Sequence, residues 1–179
     1  MKKRGFYSVA CLLMCLIMCA CSAKGKENLK IYIVDRTLID DNMSSAEIVS
    51  LAYDRGRLAF DGNDIEGYQW SGHVVRLNDE AVPSLGSNSK EDGGSTIFKS
   101  KDTDIFILVI NNTLIYYGGF EMGTTNPQTP LQPNIKDAGR YTFSINFDSK
   151  YAEFSDPRNS EYLYRFLSEN EILVTKAQD

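Results

Sequence analysis

The chain is short of several things, and each shortage removes a class of chemistry. All four cysteines stand at positions 11, 15, 19 and 21, so nothing after residue 21 carries a thiol. That body cannot form an internal disulfide, a cysteine-based zinc cluster or a thiol nucleophile. There is one histidine, His73, which rules out a site with several imidazole ligands. There is one tryptophan, Trp70. Positive charge is scarce: 19 Lys and Arg stand against 24 Asp and Glu, and Lys2, Lys3 and Arg4 open the chain. After residue 20, therefore, 16 basic residues face 24 acidic ones, a balance of about −8. A body this acidic has no electrostatic footprint for nucleic acid. No serine sits in a G-x-S-x-G elbow, and no internal repeat is present.

What is there begins with the first 22 residues. After the positive start, Phe6 to Met18 is almost wholly apolar, with Ser8 the only polar side chain, and a small residue, Ala20, precedes Cys21. A charged start, a short apolar middle and a small-residue cut site mark a secretory signal. The stretch Leu16-Ile17-Met18-Cys19-Ala20-Cys21-Ser22 resembles the lipobox of bacterial lipoproteins, with Met18 where Leu is commoner. The resemblance implies cleavage after residue 20, lipid modification of Cys21, and attachment to a cell membrane or outer membrane on its extracytoplasmic side. Acyl chains bind a bilayer with about 0.8 kcal/mol per buried CH₂, so more than one chain anchors stably. The rival reading is an uncleaved helix over Phe6–Ala23, at the lower edge of the length needed to span a bilayer. The expected division is a signal over 1–20, a lipidated tether over 21–28, and one domain over 29–179, long enough for a sizeable core.

Along the domain, Leu29 to Val34 is β-branched and aromatic and reads as a strand. Ser44-Ser45-Ala46-Glu47 is a capping box, with Met43 and Ile48 placed as a hydrophobic staple, and Gly56 is a natural stop; the helix spans that interval. Arg57 to Phe60 reads as a short strand, Asp61 to Asp64 as a turn, and Val74 to Leu77 as a strand. Glu80 to Gly94 reads as a loop. Ile105 to Ile110 is six apolar residues in a row, which fits a strand buried on both faces. Asn111-Asn112 tolerates the positive φ of a tight turn, and Thr113 to Tyr117 returns as its partner. Glu121 to Gly139 reads as a long loop, with Pro127, Pro130 and Pro133 favouring an extended path. Arg140 to Phe147 alternates apolar and polar, as a strand with one wet face does. Tyr151 to Phe154 is a further strand candidate. Asp156-Pro157 reads as a helix start, Tyr162/Phe166 and Leu163/Leu167 as i,i+4 pairs, and Ile172 to Val174 as a closing strand. The expectation is an α+β domain: an antiparallel sheet of five to seven strands with two helices packed on it.

Three places carry candidate chemistry. His73 with Trp70 and Tyr68 can bind a ligand or act as a base near neutral pH, or simply bond backbone in a turn. Asp61, Asn63, Asp64 and Glu66 alternate oxygen ligands as Ca²⁺ sites do, but lack the Gly and late Glu of an EF-hand; a solvated turn explains them as well. Asp35, Asp40 and Asp41 are further carboxylates. Gly118-Gly119 and the following loop, with Met122, Thr124, Thr125 and Asn126, offer close backbone approach and polar contacts. No metal site and no cofactor is expected. The stretches Asp64–Leu77 and Tyr116–Phe120 resemble small exported bacterial proteins without an assigned activity, and that resemblance supplies no catalytic residue.

The functional expectation is a lipid-anchored binding module that meets a peptide, an envelope component or a partner protein through the 61–73 and 121–135 loops. Two alternatives stand beside it. One is an immunity-type lipoprotein that sequesters a cationic antimicrobial peptide, which an acidic surface would suit. The other is a hydrolase pairing carboxylates with His73.

Overall fold

The structure, a computed structural model, describes residues 25–81, 98, 100, 103–121, 132–139, 141–148 and 155–174. These form an α+β fold with two α-helices among the described residues and a mixed sheet of nine strands. In chain order the elements are β1 (Leu29–Asp35), α1 (Ser45–Arg55), β2 (Arg57–Asp61), β3 (Ile65–Gln69), β4 (Val74–Leu77), β5 (Asp104–Ile110), β6 (Thr113–Phe120), β7 (Asn134–Gly139), β8 (Thr142–Asn146), α2 (Glu161–Glu169) and β9 (Leu173–Val174). The spatial order is β2-β1-β5-β6-β7-β8-β4-β3-β9. The expected five to seven antiparallel strands are thus nine, and two pairings, β6 with β7 and β3 with β9, are parallel.

The centre is built as the apolar run requires. β5 lies between β1 and β6, antiparallel to both. Its odd residues Ile105, Ile107 and Val109 pack with Tyr32 and Val34 of β1 against Ile48, Val49 and Ala52 of α1. Its even residues Phe106, Leu108 and Ile110 face the other way, into a larger core with Leu29, Ile31 and Ile33. Period-two alternation with apolar residues at both phases leaves the strand no wet face. The turn to β6 is made by Asn111 and Asn112, both at positive φ (48° and 60°). α1 starts at a complete capping box: the Ser44 N–H donates to Glu47 Oε2 (2.8 Å) and the Glu47 N–H to Ser44 Oγ (3.4 Å). Met43 joins the apolar cluster under the helix, as a staple residue should.

β6 changes partners midway. Up to Gly118 it pairs with β5; Gly119 and Phe120 pair with β7. A Cβ at position 118 would stand 1.8 Å from the Pro133 carbonyl oxygen, so only glycine admits the chain that crosses there. The Gly119 N–H then donates to that same carbonyl (3.1 Å). Beyond this joint the second half of the sheet closes over the first. Phe60 of β2 and Phe143 of β8, far apart in strand order, lie with ring centroids 6.1 Å apart. Phe98 meets both edge-on, at 5.1 and 4.9 Å, the arrangement aromatic quadrupoles favour. Leu163, Phe166 and Leu167 of α2 seal the same core.

Several expectations shift. Asn134–Gly139, read as loop, is β7; its pairing with Gly119, Phe120 and β8 overrides weak strand propensity. Ile65–Gln69, not read as a strand, is β3, anchored by buried Ile65 and Tyr68. Asp156-Pro157 opens a short 3₁₀ turn, Pro157–Asn159, and α2 has its own cap in Ser160, whose Oγ accepts from the Leu163 N–H (3.3 Å). The signal, Cys21, the loop centred on 80–94 apart from residues 80 and 81, and the 151–154 candidate lie outside the described residues.

Candidate functional site

The end of β3 delivers Tyr68 to the core and leaves Trp70 half-buried. A single 3₁₀ turn over Trp70–Gly72 ends at His73, which takes a left-handed backbone (φ 46°, ψ 47°) to send the chain back as β4. Non-glycine residues seldom adopt that conformation, so the surrounding bonds must hold it. The His73 carbonyl accepts from the Ile145 N–H of β8 (2.9 Å), and the His73 N–H donates to the Trp70 carbonyl (3.3 Å). The imidazole is 6% exposed, and its Nδ1 lies 2.9 Å from the Tyr68 hydroxyl. With the hydroxyl donating to Nδ1 the neutral ring carries its proton on Nε2; with Nδ1 protonated the hydroxyl oxygen accepts instead.

Two more groups complete the cluster. Arg158 grips Asp156 with Nε and Nη2, the shortest contact being 2.6 Å, and its Nη1 donates to the Ile145 carbonyl (2.7 Å). Both side chains are mostly buried. The Tyr116 hydroxyl of β6 is fully buried and faces Tyr68 closely enough for the two phenols to feel each other's charge. Among the described residues, however, no group meets it in the geometry of a hydrogen bond.

The electrostatics follow from burial. Loss of solvent, then the nearby Arg158 guanidinium, push the His73 imidazole below its ordinary 6.5, while Asp156 offsets part of this. For Asp156, burial alone would raise the carboxyl, but hydrogen bonds from Arg158 outweigh it and hold the group below 3.8. Burial pushes both the Tyr68 and the Tyr116 phenol above 10. At neutral pH the cluster is therefore two neutral phenols, a neutral imidazole and one ion pair.

On its outer side the corner is aromatic. Trp70 meets His73 at 5.3 Å and Tyr164 of α2 at 4.9 Å, both edge-on, and Tyr164 is 42% exposed. Tyr68, Trp70 and His73 thus do come together, as their spacing suggests. Tyr116, Asp156 and Arg158 were not singled out by sequence reasoning. Asp156 carried a signal, its place before Pro157, but for a helix start rather than for His73.

The other candidates go elsewhere. Asp61 accepts from the Asn63 N–H (2.7 Å), and Asp64 from the Asp61 N–H (2.9 Å). Glu66 pairs with Arg76 at 2.7 Å on the surface. Asp35 accepts from the Thr37 N–H and Asp40 from the Asn42 N–H, both at 2.9 Å. All are local turn bonds or surface pairs. Among the described residues no three His, Cys, Asp or Glu side chains gather as a metal site. Gly118 is approached closely, but by the chain's own Pro133. Met122, Thr124, Thr125 and Asn126 lie outside the described residues. Among those residues, no helix is long and apolar enough to cross a membrane. No protein family, curated protein or solved structure matches the chain.

Proposed function

We propose that the protein is a lipid-anchored extracytoplasmic binding module, tethered through Cys21, that meets its ligand at the aromatic corner of Trp70 and Tyr164 and along the segment 121–135. One observation carries the choice of binding over hydrolysis. The imidazole that a hydrolase would need has its Nδ1 engaged with the Tyr68 hydroxyl, and the Asp156 carboxylate that influences it is held by Arg158. Asp61, Asp64, Glu66, Asp35 and Asp40 serve turns or pair at the surface. Trp70 and Tyr164, by contrast, offer apolar ring surface at the exterior, the kind of side chain that carries recognition energy. The acidic excess after residue 20 favours a cationic ligand, which keeps capture of a cationic antimicrobial peptide as a second reading.

The anchor and the binding face are tested separately. Mass spectrometry of the protein from its native cell should find an acylated Cys21 at the N-terminus; an intact residue 1 would remove the anchor. For binding, fluorescence of the single tryptophan, Trp70, reports directly on the proposed corner. Titration with cationic and neutral peptide panels should shift its emission, and Tyr164→Ala should weaken the response. Tight binding that leaves Trp70 emission unchanged and survives both Tyr164→Ala and deletion of 125–132 would place the ligand elsewhere.

A further inference from the structure

Ile145 is held from both sides by the cluster. Its N–H donates to the His73 carbonyl, and its carbonyl accepts from Arg158 Nη1. Arg158 is in turn locked to Asp156, which caps the turn leading into α2. Along this line of contacts, β8 connects the histidine corner to the start of the C-terminal segment. We propose that His73 is the pin of an acid-operated latch: a charged imidazole there releases the segment from Asp156 through α2, while the rest of the sheet stays folded.

The groups facing His73 make the charge costly in place. Tyr68, on β3, points its hydroxyl at Nδ1, the atom that would receive the proton. Once Nδ1 carries hydrogen it can only donate; the Tyr68 oxygen then accepts, and its own O–H must turn to another acceptor. Tyr116, on β6, is the hydroxyl within its electrostatic range, and it lacks hydrogen-bond geometry as placed. Arg158, on the 3₁₀ turn, would then face a second cation. Asp156 offsets part of that repulsion, but both of its oxygens are already engaged by the Arg158 that grips Ile145. Trp70 and Tyr164, the outer neighbours, bring no compensating charge.

The release is local because the two ends of the molecule differ. α2 has nine residues, too few to persist without its packing. The cluster under α1 contains Tyr32 as its one buried titratable side chain among the described residues, and burial together with Tyr53 pushes that phenol up to about 12, far from the acid range. The sign is set by the direction of the His73 shift. A folded-state pKa below 6.5 leaves the latch fully closed above that value and weakens it as pH falls. Between 6.5 and the folded-state pKa, the open population rises about tenfold per pH unit. Asp156, held below 3.8, titrates in a separate, lower window.

Because His73 is the sole histidine, its Cε1 proton gives a single histidine resonance of that kind in the NMR spectrum of the intact chain. That resonance should titrate with a midpoint below 6.5. Hydrogen–deuterium exchange, corrected for intrinsic rates, should show amides of 160–170 opening about tenfold more per pH unit below 6.5, with β1 and β5 unchanged. His73→Asn accepts the left-handed backbone but cannot charge, and should abolish the slope. The proposal fails if the slope persists in His73→Asn, if the imidazole titrates at or above 6.5, or if β1 and β5 open together with α2. Should His73→Asn not fold, the unaltered chain decides. Exchange that starts to rise at 6.5 and levels off at the NMR midpoint supports the latch, and any other course overturns it.

Discussion

Under α1, the half of the sheet made by β2, β1, β5 and β6 turns aliphatic side chains, Tyr32 and the half-buried Tyr117 toward the helix. Beside α2, the half made by β7, β8, β4, β3 and β9 buries His73, Asn134 and Asn170 and closes over the Asp156–Arg158 pair. The first half is assembled from long strands, a complete capping box and a two-residue turn. The second uses short strands, two parallel pairings and a histidine in a left-handed backbone. An apolar layer tolerates small changes by repacking, whereas losing a partner in a buried polar cluster leaves a costly unpaired group. The contrast teaches where change can occur: the half under α1 is held by apolar packing, and the half beside α2 holds the groups on which the proposed binding corner and latch depend.

Truncations of the two cores should be the largest effects and should show the halves sharing one cooperative fold. Phe143→Ala should cost about 3–5 kcal/mol, and Ile107→Ala about 2–5 kcal/mol, in urea unfolding. If the halves unfold in separate transitions, they are independent cooperative units and the contrast between them is sharper still. Gly118→Ala, at the joint itself, should cost about 3 kcal/mol, because backbone rather than a movable side chain blocks the new methyl. An unchanged midpoint would mean that the crossing chain can step aside.

Tyr68→Phe takes the donor from His73 and should cost about 1–3 kcal/mol at pH 7.5. It should also raise the imidazole midpoint, since the freed Nδ1 then takes a proton without displacing a hydroxyl; NMR titration of His73 checks this. Smallest is Ser44→Ala, which removes the α1 cap and should cost about 1 kcal/mol. Its effect on thermal unfolding should be the same at pH 5 and pH 7.5, whereas that of Tyr68→Phe should shrink at pH 5, where the pinned corner is already weakened. Equal pH dependence in the two variants would erase the distinction between the halves.

Much of the first half was legible from residues close in sequence. Ser44 and Glu47 are three apart, Asn111 and Asn112 adjacent, and Ile105–Ile110 announces its own two-sided burial. The alternation of Tyr141, Phe143 and Ile145 likewise located β8. What escaped notice depends on distant partners. Ile65–Gln69 is broken by Gly67 and shows little strand character until β4 and β9 flank it. Asn134–Gly139 has one β-branched residue, and the close approach at Gly118 that brings it beside β6 is invisible in its own letters. The site divides the same way. Tyr68, Trp70 and His73 lie within six positions and were read together, while Tyr116, Asp156 and Arg158 reach them only through the folded sheet.

The second hydrogen on the Cα of residue 118, where any other residue carries Cβ, has a consequence beyond stability. Any substitution there puts carbon where another stretch of main chain must run, so this position cannot drift as the surface does. A protein sharing this architecture after its other letters have been rewritten should still show a glycine late in its sixth strand, some fifteen residues before a seventh that runs alongside it. That spacing is a fingerprint by which remote kin can be recognised once overall similarity has faded.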